Sequence, residues 1–300
     1  MGEVKIENRI VGERYSCYVV AEIGINHNGD IDIAKKLIDI AASAGCDAVK
    51  FQKRTVEVVY TKEELARPRE SPFGQTNGDL KRGLEFGLEQ YRIIDAYCRD
   101  KGIVWFASCW DEESVDFIEQ FHPPAYKIAS ACLTDDDLLI YTRAKGKPII
   151  LSTGMSSLDQ IDYAVKILGK ENLIILHSSS TYPAHYEELN LRLIPVLQHQ
   201  FAVPIGYSGH ETGIPSSVAA VALGACMIEQ SGGQKPVSIR PSPLAHYGWK
   251  HIPCRQLKAA SKVRPSVRND SDLRNARPRP SCRPGTTDAT KPIDKAANTQ

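Results

Sequence analysis

The sequence predicts an α/β fold: a (β/α)8 barrel of the TIM type, incomplete at its eighth βα unit and followed by a disordered basic tail. Three observations carry this expectation. Short β-branched and aromatic runs alternate with longer segments of helical period. The strand runs are apolar throughout, as parallel strands covered by helices require. After the second run, and apart from one long gap, they recur about every 21–31 residues, a cadence that suits a closed barrel better than an open sheet.

The expected strands are Tyr18–Glu22, Ala48–Gln52, Val104–Ala107, Ala125–Ile128, Ile149–Ser152, Leu173–His177, Pro204–Tyr207 and Ala225–Glu229. Helices are expected at Ile31–Ala44, Gln90–Lys101, Glu112–Gln120, Asp136–Ala144, Leu158–Leu168, Leu191–His199 and Pro215–Leu223. Leu37, Ile38, Ala41 and Ala42 show the amphipathic spacing, as do Ile161, Ala164, Val165 and Leu168. The gap, residues 54–87, reads as a polar loop with Pro68, Pro72, Gly74 and Gly78, long enough to be functional or disordered.

The chain has 300 residues and a formal net charge of +1, an average that hides a split. Residues 1–229 carry a net charge of −9 and residues 230–300 carry +10. The second segment has no Glu, nine of the 18 prolines, and nine residues drawn from Val, Ile, Leu, Met and Phe. So little apolar surface cannot offset the entropy of ordering a backbone. The expected organisation is a barrel over 1–229 lacking a normal last helix, then a disordered tail over 230–300. Eight cysteines, none in a C-x-x-C pair and most within apolar segments, indicate a reducing compartment. A polar amino terminus and no apolar run long enough to span a bilayer suggest a cytoplasmic protein with no membrane partner.

Polar residues gather where the expected strands end: Glu22, Lys50, Gln52, Ser108, Lys127, Ser130, Ser152, Thr153, His177 to Ser180, Ser208 and His210. In a barrel this carboxyl rim builds the active site. Two lysines among hydroxyls suit a phosphate or phosphate-plus-carboxylate ligand. No phosphate-binding P-loop or dinucleotide-binding glycine turn occurs. Each residue alone has a plainer role. A strand-end lysine can be a solvated rim charge, Ser152 and Thr153 can cap a helix, His210 can be a bonded loop histidine, and Glu22 can simply pair with Lys50. Recurrence at one end of seven strands favours a site.

Ordered motifs then become recognisable: Ala21-Glu22-Ile23-Gly24-Ile25-Asn26-His27-Asn28-Gly29, Val49-Lys50-Phe51-Gln52, Tyr126-Lys127-Ile128-Ala129-Ser130, Leu151-Ser152-Thr153-Gly154-Met155 and Gly206-Tyr207-Ser208-Gly209-His210. Together with Tyr60-Thr61-Lys62 and Ser71-Pro72-Phe73-Gly74, they resemble the catalytic barrel of the sialic acid synthases and related bacterial nonulosonate synthases, over about residues 18–229. The resemblance implies condensation of phosphoenolpyruvate with an N-acylated hexosamine, N-acetylmannosamine-like, to a nine-carbon 2-keto acid with release of phosphate. It implies that Lys50, Ser108, Lys127, Ser130, Ser152, Ser180 and Ser208 hold phosphoenolpyruvate, that Gln52 and Tyr182 contact the sugar, and that Glu22 moves a proton. It further implies a divalent metal, Mn2+ or Mg2+, held by His210 and a second histidine.

Departures cluster at the carboxyl end. Ser231 stands where the resemblance places the second metal histidine, and a hydroxyl is a poor replacement for imidazole. The pattern of an eighth helix is missing. So is the family's small C-terminal antifreeze-like domain, which lends an arginine to the partner subunit, so the expected homodimer loses part of its basis. The switch at Gln230 is what an out-of-frame or otherwise non-homologous extension produces. Two other functions compete with synthesis: an inactive phosphoenolpyruvate- or sugar-binding relative, and nucleic-acid binding through Arg264, Arg268, Arg274, Arg277, Arg279 and Arg283. The latter is not expected, because charge runs of that kind are usually just solvated.

Overall fold

The structure is a computed structural model that describes residues 2–181, 184–211, 213–231 and 254–261. Eight parallel strands close into a barrel: β3 (Tyr18–Gly24), β4 (Ala48–Lys53), β7 (Val104–Cys109), β8 (Tyr126–Ile128), β9 (Ile149–Ser152), β10 (Leu173–Ser178), β11 (Ile205–Gly209) and β12 (Met227–Ser231). Each pairs with its neighbours in that order, and β12 returns to β3 with Ser231 opposite Glu22. The expected strands agree to within about two residues.

Alternation along the strands sorts side chains into two cores. Tyr18, Val20, Ala48, Phe106, Ala125, Ile150, Ile174, Leu176 and Met227 fill the barrel interior. Val19, Val49, Phe51, Leu151, Ile175, Tyr207 and Ile228 face the helices. Two short strands unrecognised in the sequence, β1 (Val4–Ile6) and β2 (Arg9–Val11), form a hairpin whose Val4, Ile6 and Val11 join the interior core.

The helices are α1 (Ile31–Ala44), α5 (Leu88–Lys101), α6 (Glu112–Glu119), α7 (Asp136–Ala144), α8 (Leu158–Leu168), α9 (Leu193–Phe201) and α10 (Pro215–Ala222). Asp30, Asp111, Asp135 and Ser157 cap α1, α6, α7 and α8 by accepting from first-turn amides. Gly45 (φ 81) and Gly102 (φ 64) end α1 and α5 in the left-handed region.

The 54–87 segment is not a structureless loop. It folds into α2 (Val56–Val59), α3 (Lys62–Ala66), the hairpin of β5 (Pro68–Ser71) with β6 (Gly74–Thr76), and α4 (Asn77–Leu84). Capping boxes, Thr61 with Glu64 and Thr76 with Asp79, start α3 and α4. Leu65, Leu80, Leu84 and Phe86 provide buried anchors. These anchors are spaced for several very short elements, so no single period stands out in the sequence.

Beyond Ser231 the described residues include one further helix: α11 (Cys254–Ala260) packs on α10. Leu257 is fully buried in the helix-side core with Cys254. Lys258 donates to the Gly45 carbonyl at 2.9 Å and to Asp47 at 3.0 Å, and the Cys17 amide donates to Ser261 Oγ at 3.3 Å. These contacts place α11 over the seam between α10 and the end of α1. The rest of the tail expectation, residues 232–253 and 262–300, lies outside the described residues. No described helix is long and apolar enough to cross a membrane.

Candidate active site

Strand alternation turns Glu22, Lys50, Gln52, Ser108, Lys127, Ser152, Ser178, Ser208 and Glu229 inward at the carboxyl end of the barrel. Register makes them neighbours: Glu22 lies opposite Lys50, Gln52 opposite Ser108, Ser108 opposite Lys127, Ser178 opposite Ser208, and Ser208 opposite Glu229.

Two buried lysines form the centre. Lys50 Nζ donates to Glu229 Oε1 at 3.0 Å and contacts Glu22 Oε2. Lys127 Nζ donates to Ser152 Oγ at 2.7 Å and lies 3.7 Å from Glu229 Oε1, which also accepts from Ser208 Oγ at 3.1 Å. Two ammonium groups and two carboxylates balance each other, which lets them stay in a low-dielectric interior. Burial pulls the Lys50 ammonium down to about 8 against the favourable pull of Glu229, and Lys127 is lowered for the same reason. Burial pushes the Glu229 carboxyl up, but Lys127 and Lys50 outweigh it and hold the group at about 2.

Glu229 was absent from the expected site residues. Its signal was present: one carboxylate ending the apolar run Ala225-Cys226-Met227-Ile228. Buried Arg54 is a second residue of this kind. It donates to Tyr60 OH at 2.8 Å and to Gln52 Oε1, and stacks over the Trp110 ring at 4.8 Å. Gln52 Nε2 in turn donates to Glu22 Oε1 at 3.2 Å, linking the long loop to the central carboxylate.

The buried hydroxyls of Ser108 and Ser178 have no hydrogen-bond partner, and neither does Glu229 Oε2. Orphaned polar atoms in a buried pocket are unusual and suit a missing polar ligand. Ser152 does not cap a helix, because Ser157 caps α8; Thr153 Oγ1 donates instead to the Leu176 carbonyl at 3.1 Å.

Ser130 and Ser180 lie half-buried on the rim, converging on Gly154, whose amide donates to Ser130 Oγ at 2.9 Å. His177 turns away from the mouth and bonds the Leu189 carbonyl at 2.7 Å. Tyr182 and the Ser231 side chain lie outside the described residues. His210 bonds the Ser179 carbonyl through Nδ1 at 2.7 Å, which orients its ring, and burial lowers its basicity. Among the described residues no group of three or more His, Cys, Asp or Glu side chains can hold a metal ion, and the position at which the resemblance places the second histidine is Ser231, so the donor set on the page does not fit the implied two-histidine centre.

Among the described residues, two clefts open whose linings do not include the two central lysines. One of about 370 Å3 opens beside Lys53, Glu57, Arg82, Glu85 and Phe117. Lys53 faces the helices there, its ammonium 4.7 Å from the Phe117 ring centre. The two central lysines are buried against Glu229, so the chemistry of the side chains rather than open volume marks the site.

Known proteins resemble the chain throughout this region. The sequence model of the NeuB family matches residues 37–231. Human N-acetylneuraminate-9-phosphate synthase is 40% identical over 250 residues, covering 79% of this chain and 70% of that protein. The N,N'-diacetyllegionaminic acid synthase of Campylobacter jejuni is 36% identical over 261 residues, covering 82% and 76%. The crystal structure of the N-acetylneuraminic acid synthetase from Leptospira borgpetersenii superposes with a TM-score of 0.75 at 26% identity, covering 91% of this chain and 94% of that one. With the closed parallel barrel and its two interior lysines, these matches establish that the chain belongs to the NeuB family and is a transferase of the sialic acid synthase type.

Proposed function

We propose that the chain condenses phosphoenolpyruvate with an N-acylated hexosamine to give a nine-carbon 2-keto acid and inorganic phosphate. The observation that carries this is the pair of buried lysines set among inward hydroxyls, two of them orphaned. Such a cradle suits a compact anion bearing both phosphate and carboxylate.

Lys50, Lys127, Ser108, Ser152 and Ser208 hold the anion in this scheme, with Ser130 and Ser180 reaching it from the rim. Entry of the anion exchanges one charge partner for another, since Glu229 already occupies the lysines. C3 of phosphoenolpyruvate then attacks the open-chain sugar aldehyde, water adds at C2, and phosphate leaves from C2. Glu22 moves the proton of that water and is kept ready by Gln52 and Lys50. Gln52 and Tyr182 meet the sugar. His210 is the residue available to a divalent cation, Mn2+ or Mg2+. Every other step in this scheme is carried by the chain's own groups.

Purified protein incubated with phosphoenolpyruvate and either N-acetylmannosamine or its 6-phosphate is expected to release phosphate and form the corresponding nonulosonate, detected by mass. Failure both to bind phosphoenolpyruvate and to release phosphate, with or without Mn2+, would refute the proposal. Ser231 favours a second reading, an inactive relative that binds without turnover. Turnover gained on Ser231→His with Mn2+ would support that reading for the parent chain.

A further inference from the structure

At the amino-terminal side of the barrel wall, two cysteines from opposite ends of the chain meet. Cys46 lies between Gly45, the left-handed cap of α1, and Asp47; Cys254 opens α11. Their Sγ atoms are 3.6 Å apart although the residues are 208 positions apart, and both are buried.

The surroundings hold both thiols in place without involving sulfur. Asp47 accepts from Arg9 at 2.8 Å, from the Val19 amide at 2.9 Å and from Lys258 at 3.0 Å. Lys258 also binds the Gly45 carbonyl, and Leu257 is fully buried beside Cys254. A disulfide needs an S–S separation of about 2.05 Å, so closure asks for a movement of roughly 1.5 Å between two side chains on anchored backbone.

We propose that Cys46 and Cys254 are an oxidant-responsive pair whose disulfide fastens the eighth helix to the barrel. The oxidant is a peroxide. The Cys254 thiolate attacks one peroxide oxygen and becomes a sulfenic acid, with the other oxygen leaving as water. Cys46 then gives up its proton and attacks that sulfur, and the hydroxyl departs as a second water. Two thiols and one hydrogen peroxide thus become one disulfide and two waters. Cys254 is the more acidic partner, because its sulfur shares a hydrogen bond with the Cys46 thiol and the Lys258 ammonium lies near; burial opposes both effects. The Cys46 thiol is pushed up by that same hydrogen bond and by burial. The loop closed by this bond contains seven of the eight barrel strands, β4 and β7 to β12.

The test uses the full chain, treated with equimolar hydrogen peroxide, alkylated in denaturant, and compared with a sample kept in dithiothreitol. The expected result is a Cys46–Cys254 linked peptide and a melting temperature about 5–15 °C higher than that of the reduced protein, both reversed by dithiothreitol. Cys46→Ser should show neither change on peroxide treatment. If that variant does not fold, the oxidised and reduced parent samples decide alone. Separately alkylated Cys46 and Cys254, sulfinic acid at either, linkage to Cys282 instead, or a linked pair with an unchanged melt would each overturn the proposal. None of these outcomes depends on the catalytic scheme.

Discussion

Substituting Glu229→Gln separates the electrostatic role of this carboxylate from its shape. The side chain is 6% exposed, and its Oε1 lies 3.0 Å from Lys50 Nζ and 3.7 Å from Lys127 Nζ. After the change Lys50 keeps Glu22, but Lys127 keeps only neutral oxygens, chiefly Ser152 Oγ. Leaving a buried charge without its partner costs about 3–5 kcal/mol. A domain slightly larger than 200 residues loses about 2–4 °C per kcal/mol, so the melting temperature should fall by roughly 6–20 °C. Phosphoenolpyruvate should then restore more stability to the variant than it adds to the parent. It replaces the missing negative charge and no longer competes with a carboxylate for the lysines. Calorimetric melts of both proteins, with and without phosphoenolpyruvate, read both quantities. A melting temperature within about 2 °C of the parent, or a smaller ligand-induced rise in the variant, would refute the charge-exchange account.

Other expectations rest on separate features. Because burial lowers Lys50 to about 8, phosphoenolpyruvate affinity should weaken as pH rises through 8, while stability without ligand rises between that value and the ordinary lysine value of 10.5. The sign follows from the native state binding fewer protons than the unfolded state in that window; titration calorimetry and melts across about pH 7–10 should therefore move in opposite directions. Leu257→Ala should destabilise the protein by about 2–5 kcal/mol in urea unfolding, since the residue is fully buried; a change below about 0.5 kcal/mol would mean that α11 is not part of the barrel wall. Ser178→Ala removes an orphaned buried hydroxyl and should leave the unliganded melt unchanged or raised, while weakening phosphoenolpyruvate binding by about 1 kcal/mol, roughly fivefold. Unchanged affinity would exclude Ser178 from the anion cradle.

Much of the barrel is written in local pattern. Apolar runs such as Ile149–Ser152 and Leu173–Ser178 need cover on both faces, and period-two alternation already placed Lys50 and Gln52 on one face. Caps such as Asp30 and Gly45 mark helix ends within a few residues of the polar groups that they position. The carboxyl-end cluster was therefore visible as a list of residues, though its internal pairing was not. Ser152 could equally have capped a helix until Ser157 was seen to do so.

What only the tertiary structure decided depends on partners far apart in the chain. Glu229 joins Lys50 across 179 positions, an encounter that exists only because β12 returns to β3 and closes the barrel. Arg54 gains its importance from Gln52, Tyr60 and Trp110 gathered around it by the long loop. The helix Cys254–Ala260 makes only about two turns, too short for its own sequence to specify it. Cys46, Asp47 and Gly45, more than 200 positions earlier, supply the contacts that hold it. Alternation and capping are local and can be read along the chain, whereas charge compensation and seam closure arise only when distant segments share one dry interior.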